Sequence, residues 1–163
     1  MSIKSWWAER KHIRAIAKLI ESTRREITYE AEKRGSPDDW QQGWRTDMKK
    51  KGDCEDYVVL YRERLVVTGL IEPYQARMSY VATDGGYVRD HGMLKLTIFG
   101  ETYYADNNQG LRSSIPYGWR EVGVFNFTDW WDKVWPLGET MDECEARLGT
   151  KAFNAWMSKG AIK

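Results

Sequence analysis

Gly52-Asp53-Cys54-Glu55-Asp56-Tyr57 is the stretch on which the reading of this chain turns. Asp53 carries the short side-chain oxygen that accepts from the unpaired N–H groups of a helix's first turn, and Glu55 and Asp56 add negative charge where the helix dipole favours it. Val58, Tyr61, Leu65 and Val66 then recur at helical spacing and Gly69 weakens the end, so a helix is predicted to start beside Asp53 and to close near Leu70. Cys54 falls in its first turn, where unpaired N–H groups lower a thiol pKa and favour the nucleophilic thiolate. The three flanking carboxylates work against this, because like charge raises the same pKa.

Upstream, Ile13, Ile16, Ala17, Ile20, Arg24 and Ile27 share one helical face, with Lys, Arg and Glu on the other. This predicts an amphipathic helix of roughly twenty residues that closes before Gly35-Ser36-Pro37, where glycine and proline stop it. Lys49-Lys50-Lys51 reads as a solvated loop. Downstream of Pro73 the texture becomes β-type, with strands expected over residues 75–82, 91–99, 102–106 and 122–127 and reversals at Asp84-Gly85-Gly86 and Gly100. Thr140-Met141-Asp142-Glu143 is a capping-box sequence for a short helix through Leu148 that contains Cys144, and Phe153, Trp156 and Met157 follow at helical spacing. Helices, then strands, then short helices give an α+β class, with N-terminal helices packed on an antiparallel sheet. The 163 residues suit one domain spanning the whole chain.

Composition narrows the function classes. Hydrophobic residues at 42%, with nine Trp and nine Tyr, supply enough apolar surface for a packed interior and exclude a disordered chain. Basic and acidic side chains number 25 and 24, and a net charge of +1 gives no general footprint for nucleic acid or an anionic membrane. Without accompanying basic charge, Trp6, Trp7, Trp130, Trp131, Trp135 and Trp156 read as core or surface anchors rather than a base-stacking platform. No apolar stretch approaches the roughly 18 residues of a membrane span. Arg10, Lys11, Arg14 and Lys18 interrupt the N-terminal region, so no secretory signal is read; the expected location is cytoplasmic, or periplasmic after export by another route or loss of a leader. Two cysteines and two histidines rule out a disulfide scaffold and a zinc framework. Cys144 reads as a structural thiol and His12 as a solvated residue on the charged side of the first helix.

His91 opens one expected strand and Asp106 ends the next, so an antiparallel hairpin brings an imidazole towards a carboxylate. A two-residue turn at Gly100-Glu101 would set His91 against Gly110, whereas a four-residue loop over residues 97–100 sets it against Asp106. The longer loop is the expected one. Opposed side chains then have Cβ atoms roughly 5 Å apart, close enough for a carboxylate to hold an imidazole.

Gly52-Asp53-Cys54-Glu55-Asp56-Tyr57, followed by His91 in a strand and Ala105-Asp106-Asn107, resembles the bacterial transglutaminase-like cysteine proteinases, relatives of the papain-fold transglutaminases. The resemblance runs from about Ile27 to Trp131 and takes in Asp39-Trp40 and Phe125-Asn126-Phe127. It implies a papain-like, transglutaminase-like core and a peptidase that cleaves amide bonds in a protein or peptide substrate. Cys54 would be the nucleophile, His91 the general base and Asp106 the group that orients the imidazole. The backbone N–H of Cys54 would donate to the oxyanion, with Trp40, Gln41 and Trp44 as candidates for a second donor. Relatives bind calcium through acidic residues flanking the cysteine, which implies Asp53, Glu55 and Asp56 as ligands here; an N-cap with dipole compensation explains the same residues without a metal. No organic cofactor is implied. Two other functions remain open: glutamine deamidation or transamidation on the same residues, and a catalytically silent interaction module.

Overall fold

The computed structural model describes residues 3–31 and 50–127. Helix α1 (Ile3–Glu26) leads through β1 (Thr28–Tyr29) to β2 (Lys51–Gly52) and helix α2 (Cys54–Val67); a 3-10 turn (Pro73–Gln75) then precedes β3 (Ala76–Ala82), β4 (His91–Ile98), β5 (Glu101–Ala105) and β6 (Arg120–Asn126). The last four form one antiparallel sheet in the order β5-β4-β3-β6. A mixed α+β architecture with an antiparallel sheet is the class expected from the sequence.

Helix α2 is the centre of the molecule. Val58, Val59, Leu60 and Tyr61 are consecutive and all buried. A helical turn apolar on every side must be covered on every side. Ile16 and Ile20 of α1, Met78 and Tyr80 of β3, and Leu94, Leu96 and Ile98 of β4 belong to the same buried cluster. Polar ties fix the helix pair: Arg64 donates to Thr23 Oγ1 and to Glu26, each at 2.8 Å, and the Tyr57 hydroxyl donates to the carbonyl of Ile27 at 2.5 Å.

Several expectations are corrected. Helix α1 runs from Ile3 to Glu26 and closes before Gly35 as expected, but Ile27 of the expected face lies beyond it, because Thr28 and Tyr29 enter a parallel pairing with Lys51 and Gly52. Lys51 is therefore in a strand rather than a loop, although its side chain stays exposed beside Glu30 at 3.6 Å. His12 is half-buried and packs edge-on against Phe99, with ring centroids 5.4 Å apart.

The β4–β5 hairpin differs from both expected registers. Ile98 pairs with Glu101 across a two-residue turn whose residues, Phe99 and Gly100, have φ of 52° and 80°. Positive φ at both central positions is the turn geometry that matches the right-handed twist of the flanking strands, and here it prevails despite the cost of placing Phe99 there. Pairing runs out at Leu94↔Ala105, so His91 and Asp106 meet beyond the ladder and not as a directly opposed pair. The predicted helix at Thr140, Cys144, the tail aromatics, Trp40, Gln41 and Trp44 lie outside the described residues. Among the described residues, no helix is long and apolar enough to cross a membrane.

Candidate active site

Asp53 follows β2 in an extended conformation and caps α2. Its Oδ1 accepts from the N–H groups of Glu55 and Asp56 at 3.1 and 3.2 Å, while Asp56 Oδ2 accepts from the N–H of Asp53 at 3.3 Å. This reciprocal box pins the first turn, and with it the backbone of Cys54.

The Cys54 side chain is nearly buried. Its thiol donates to Glu55 Oε2 at 2.6 Å, and the backbone N–H of Gly92 donates to the sulfur. A Cβ on Gly92 would come within 3.3 Å of Glu55 Cγ and 3.5 Å of Met78 Sδ, so the start of β4 presses closely on the helix N-terminus and an added side chain would have to shift Glu55 slightly. Burial pushes the Cys54 thiol far above its ordinary pKa, and the charge and hydrogen bond of Glu55 push it further, with Asp53 adding to the rise. The Gly92 N–H acts in the opposite direction. Burial thus joins the flanking carboxylates in opposing the helix terminus, and together they favour the neutral thiol. Glu55→Gln is expected to lower the thiol pKa and to speed iodoacetamide alkylation of Cys54 severalfold at pH 8. An unchanged rate, measured by mass spectrometry of the Cys54 peptide, would show that burial alone holds the proton.

His91 and Asp106 form the second half. His91 Nε2 lies 3.0 Å from Asp106 Oδ2, and Asp106 is fully buried. The other carboxylate oxygen accepts from the N–H groups of Asn108 and Gln109 at 2.9 and 2.5 Å, and the Tyr61 hydroxyl of α2 donates to the Asp106 carbonyl at 3.1 Å. With backbone donors committed to Oδ1, the carboxylate serves His91 as an acceptor. The shared proton therefore belongs to Nε2, which leaves Nδ1 with the lone pair a general base needs. Trp119 stands edge-on to the same imidazole at 5.4 Å between centroids.

The two halves adjoin through the peptide link from His91 to Gly92, because Gly92 touches Cys54 and Glu55. Among the described residues, the thiol's hydrogen bond runs to Glu55 rather than to the imidazole. Gly92, Tyr61 and Trp119 were not identified as site residues from the sequence. Trp119, distant along the chain from His91, carries no signal in spacing or composition.

The acidic residues divide by role. Ligand atoms of Asp53, Cys54 and Glu55 all lie within 4.8 Å of one another. Asp53 and Glu55 thus bring hard carboxylate oxygens together, which is part of the oxygen set a calcium ion takes. Asp56 is buried in the capping box and stands outside that cluster.

No protein-family model and no curated protein sequence matches the chain. Solved structures do. Legionella pneumophila LapG matches with a TM-score of 0.58 at 22% identity, over 91% of this chain and 78% of that one. LapG in its calcium-bound form matches with a TM-score of 0.53 at 24% identity, over 72% of this chain and 76% of that one. The EGTA-treated form matches with a TM-score of 0.56 at 24% identity, over 68% of this chain and 61% of that one, so the chain spans about three fifths of its length. An α+β fold with this helix, sheet and hairpin order, aligned on LapG over up to 91% of the chain, is the transglutaminase-like fold that the Gly52–Tyr57 motif implied.

Proposed function

We propose that this chain is a cysteine peptidase that hydrolyses amide bonds in a protein substrate. The observation that carries the reading is the buried His91–Asp106 bond, which leaves Nδ1 as a base, one residue from the Gly92 N–H that donates to Cys54 at a capped helix N-terminus. In the forward step Nδ1 of His91 takes the Cys54 proton and the sulfur attacks the substrate carbonyl carbon. The oxyanion accepts from the Cys54 N–H, with Trp40 or Gln41 as a second donor. The tetrahedral species collapses as the C–N bond breaks and His91 returns the proton to the leaving amine. Water, deprotonated by the same Nδ1, then cleaves the thioester, releasing the new carboxylate and the Cys54 thiol.

Calcium belongs to this reading. LapG has been solved both calcium-bound and EGTA-treated, and Asp53 and Glu55 are the residues here that would hold the ion. Bound there, it would supply positive charge that offsets the carboxylates opposing thiol ionisation.

The test is terminal profiling. A protein mixture is incubated with the chain, with calcium or with EGTA, and new N-termini are identified by mass spectrometry while ammonia is measured in parallel. Calcium-dependent new termini are expected. Ammonia without new termini would move the assignment to deamidation, and neither product would leave the interaction module. Calcium at a hundredfold its Kd is expected to stabilise the fold by about 2.7 kcal/mol, read as a rise in Tm that Asp53→Asn and Glu55→Gln abolish. No shift at millimolar calcium would reject the ion.

A further inference from the structure

Two loops flank His91, and each contributes a contact that constrains it. The first, residues 83–90, runs from β3 directly into His91. It is braced across its base, where Asp90 accepts from the Thr83 N–H at 2.8 Å and from the Thr83 hydroxyl at 2.6 Å. The second loop ends in a tight turn that delivers Trp119. The Trp119 N–H donates to the Pro116 carbonyl at 3.1 Å, and Gly118 in the turn's third position has φ of 85°. That backbone region is open to glycine at little cost.

The loops touch at their glycines. A Cβ on Gly85, itself at φ 75°, would lie 2.7 Å from the Gly118 carbonyl oxygen, so any side chain there would part the two backbones. They touch again one step outward, where the Arg120 guanidinium lies 4.4 Å from the centre of the Tyr87 ring. Tyr87 is 83% exposed, so this stack adds little buried area to the fold. Its product is the placement of Trp119, edge-on to His91 with the ring planes at 81°.

We infer that Trp119 is a positioning residue for His91, and that the Gly85–Gly118 contact with the Arg120–Tyr87 stack is the latch that sets it. The inference deepens the peptidase reading and rests on His91 as its base. Asp106 fixes where Nε2 points, but a single hydrogen bond leaves the imidazole free to swing about it. The indole, packed at 81° to the imidazole plane, removes that freedom on the second side of the ring. Nδ1 is then held on one line for both proton transfers, where a displacement of an ångström costs up to about a hundredfold in rate.

His12 and His91 are the only histidines, so histidine ring resonances read the site directly, with His12 as internal control. Trp119→Ala is expected to move the His91 ring protons away from their ring-current-shifted positions and leave His12 unchanged. Tyr87→Ala, at an exposed position where folding is not at stake, and Gly85→Ala are expected to move the same His91 protons in the same direction. His91 resonances unchanged in both latch variants would overturn the latch. These shifts are read without substrate, so they decide the positioning claim even if no peptidase activity is found. Where activity is found, Trp119→Ala is expected to lower kcat roughly tenfold to a hundredfold at unchanged KM, with Trp119→Phe restoring most of it. A loss confined to KM would make Trp119 a substrate contact and overturn the positioning role.

Discussion

Cys54→Ala is expected to lower the rate of peptide cleavage on the order of 10⁶-fold, the scale of losing a nucleophile that works as a unit with its base. Covalent attack needs the sulfur, and among the described residues Cys54 is the free thiol present. The substitution is structurally mild. Asp53 and Asp56 cap α2 through backbone N–H groups that alanine retains, and the missing sulfur leaves only the Glu55 carboxyl and Gly92 N–H to find other partners. Melting temperature is therefore expected to change little while turnover disappears. His91→Ala should fall to a similar floor, and the double variant no further, because neither residue acts without the other. Retained cleavage by Cys54→Ala would sink the peptidase reading, and a double variant much slower than either single one would mean that Cys54 and His91 act independently.

The helix and the strands were readable because their signals are local. Asp53 followed by two acids, then apolar residues at helical spacing, placed α2 within a few residues of Cys54–Val67. The β segments showed the same economy, with β3 and β4 bounded by the turn residues around Asp84-Gly85-Gly86 and by Gly100. Non-local pairing was not readable. Helix α1 stops at Glu26 because a strand some twenty residues later along the chain claims Thr28 and Tyr29, and the periodicity of α1 carries no trace of that partner. The hairpin register failed for a related reason. Glycine at position 100 marks a reversal, but whether it is the first or second turn residue depends on strand twist, and Phe99 at positive φ is a choice that residue preferences argue against.

The site was legible as a set of residue types and only partly as a geometry. The candidate nucleophile and its cap follow from one hexapeptide. The His91–Asp106 contact was expected from strand ends, and it forms at 3.0 Å although the register that motivated it is wrong: His91 is held in the β3–β4 ladder opposite Val81, and Asp106 reaches it from just past the last β4–β5 pair. The acids around Cys54 could be counted but not sorted. Only the fold shows that Asp56 turns inward to close the capping box while Asp53 and Glu55 come together near the sulfur. The contribution of Gly92 was hidden because the space it leaves for Glu55 and Met78 belongs to three separate elements.

Asp106→Asn is expected to lower kcat about 10⁴-fold, the loss known when such a carboxylate becomes an amide and the histidine takes the wrong tautomer. The hydrogen bonds of Asp106 dictate which way the new amide faces. Its Oδ1 accepts two backbone N–H groups, from Asn108 and Gln109, and an asparagine must keep its carbonyl oxygen there or bury two unpaired donors. The amide NH2 then replaces Oδ2 opposite His91 Nε2, and a donor now faces a donor. The imidazole resolves the conflict by moving its proton to Nδ1, the nitrogen that has to accept from Cys54. Catalysis is lost while the turn at Asn108 and Gln109, and the Tyr61 bond to the residue 106 carbonyl, stay intact. The nitrogen-15 spectrum of the histidine rings separates this from unfolding: His91 should switch from an Nε2–H to an Nδ1–H tautomer with melting temperature nearly unchanged. Asp106→Ala supplies the contrast, because it strips the two backbone donors as well, and should cost about 3 kcal/mol of stability in addition to activity. An Asp106→Asn chain that keeps both the Nε2–H tautomer and most of its rate would place the catalytic base elsewhere.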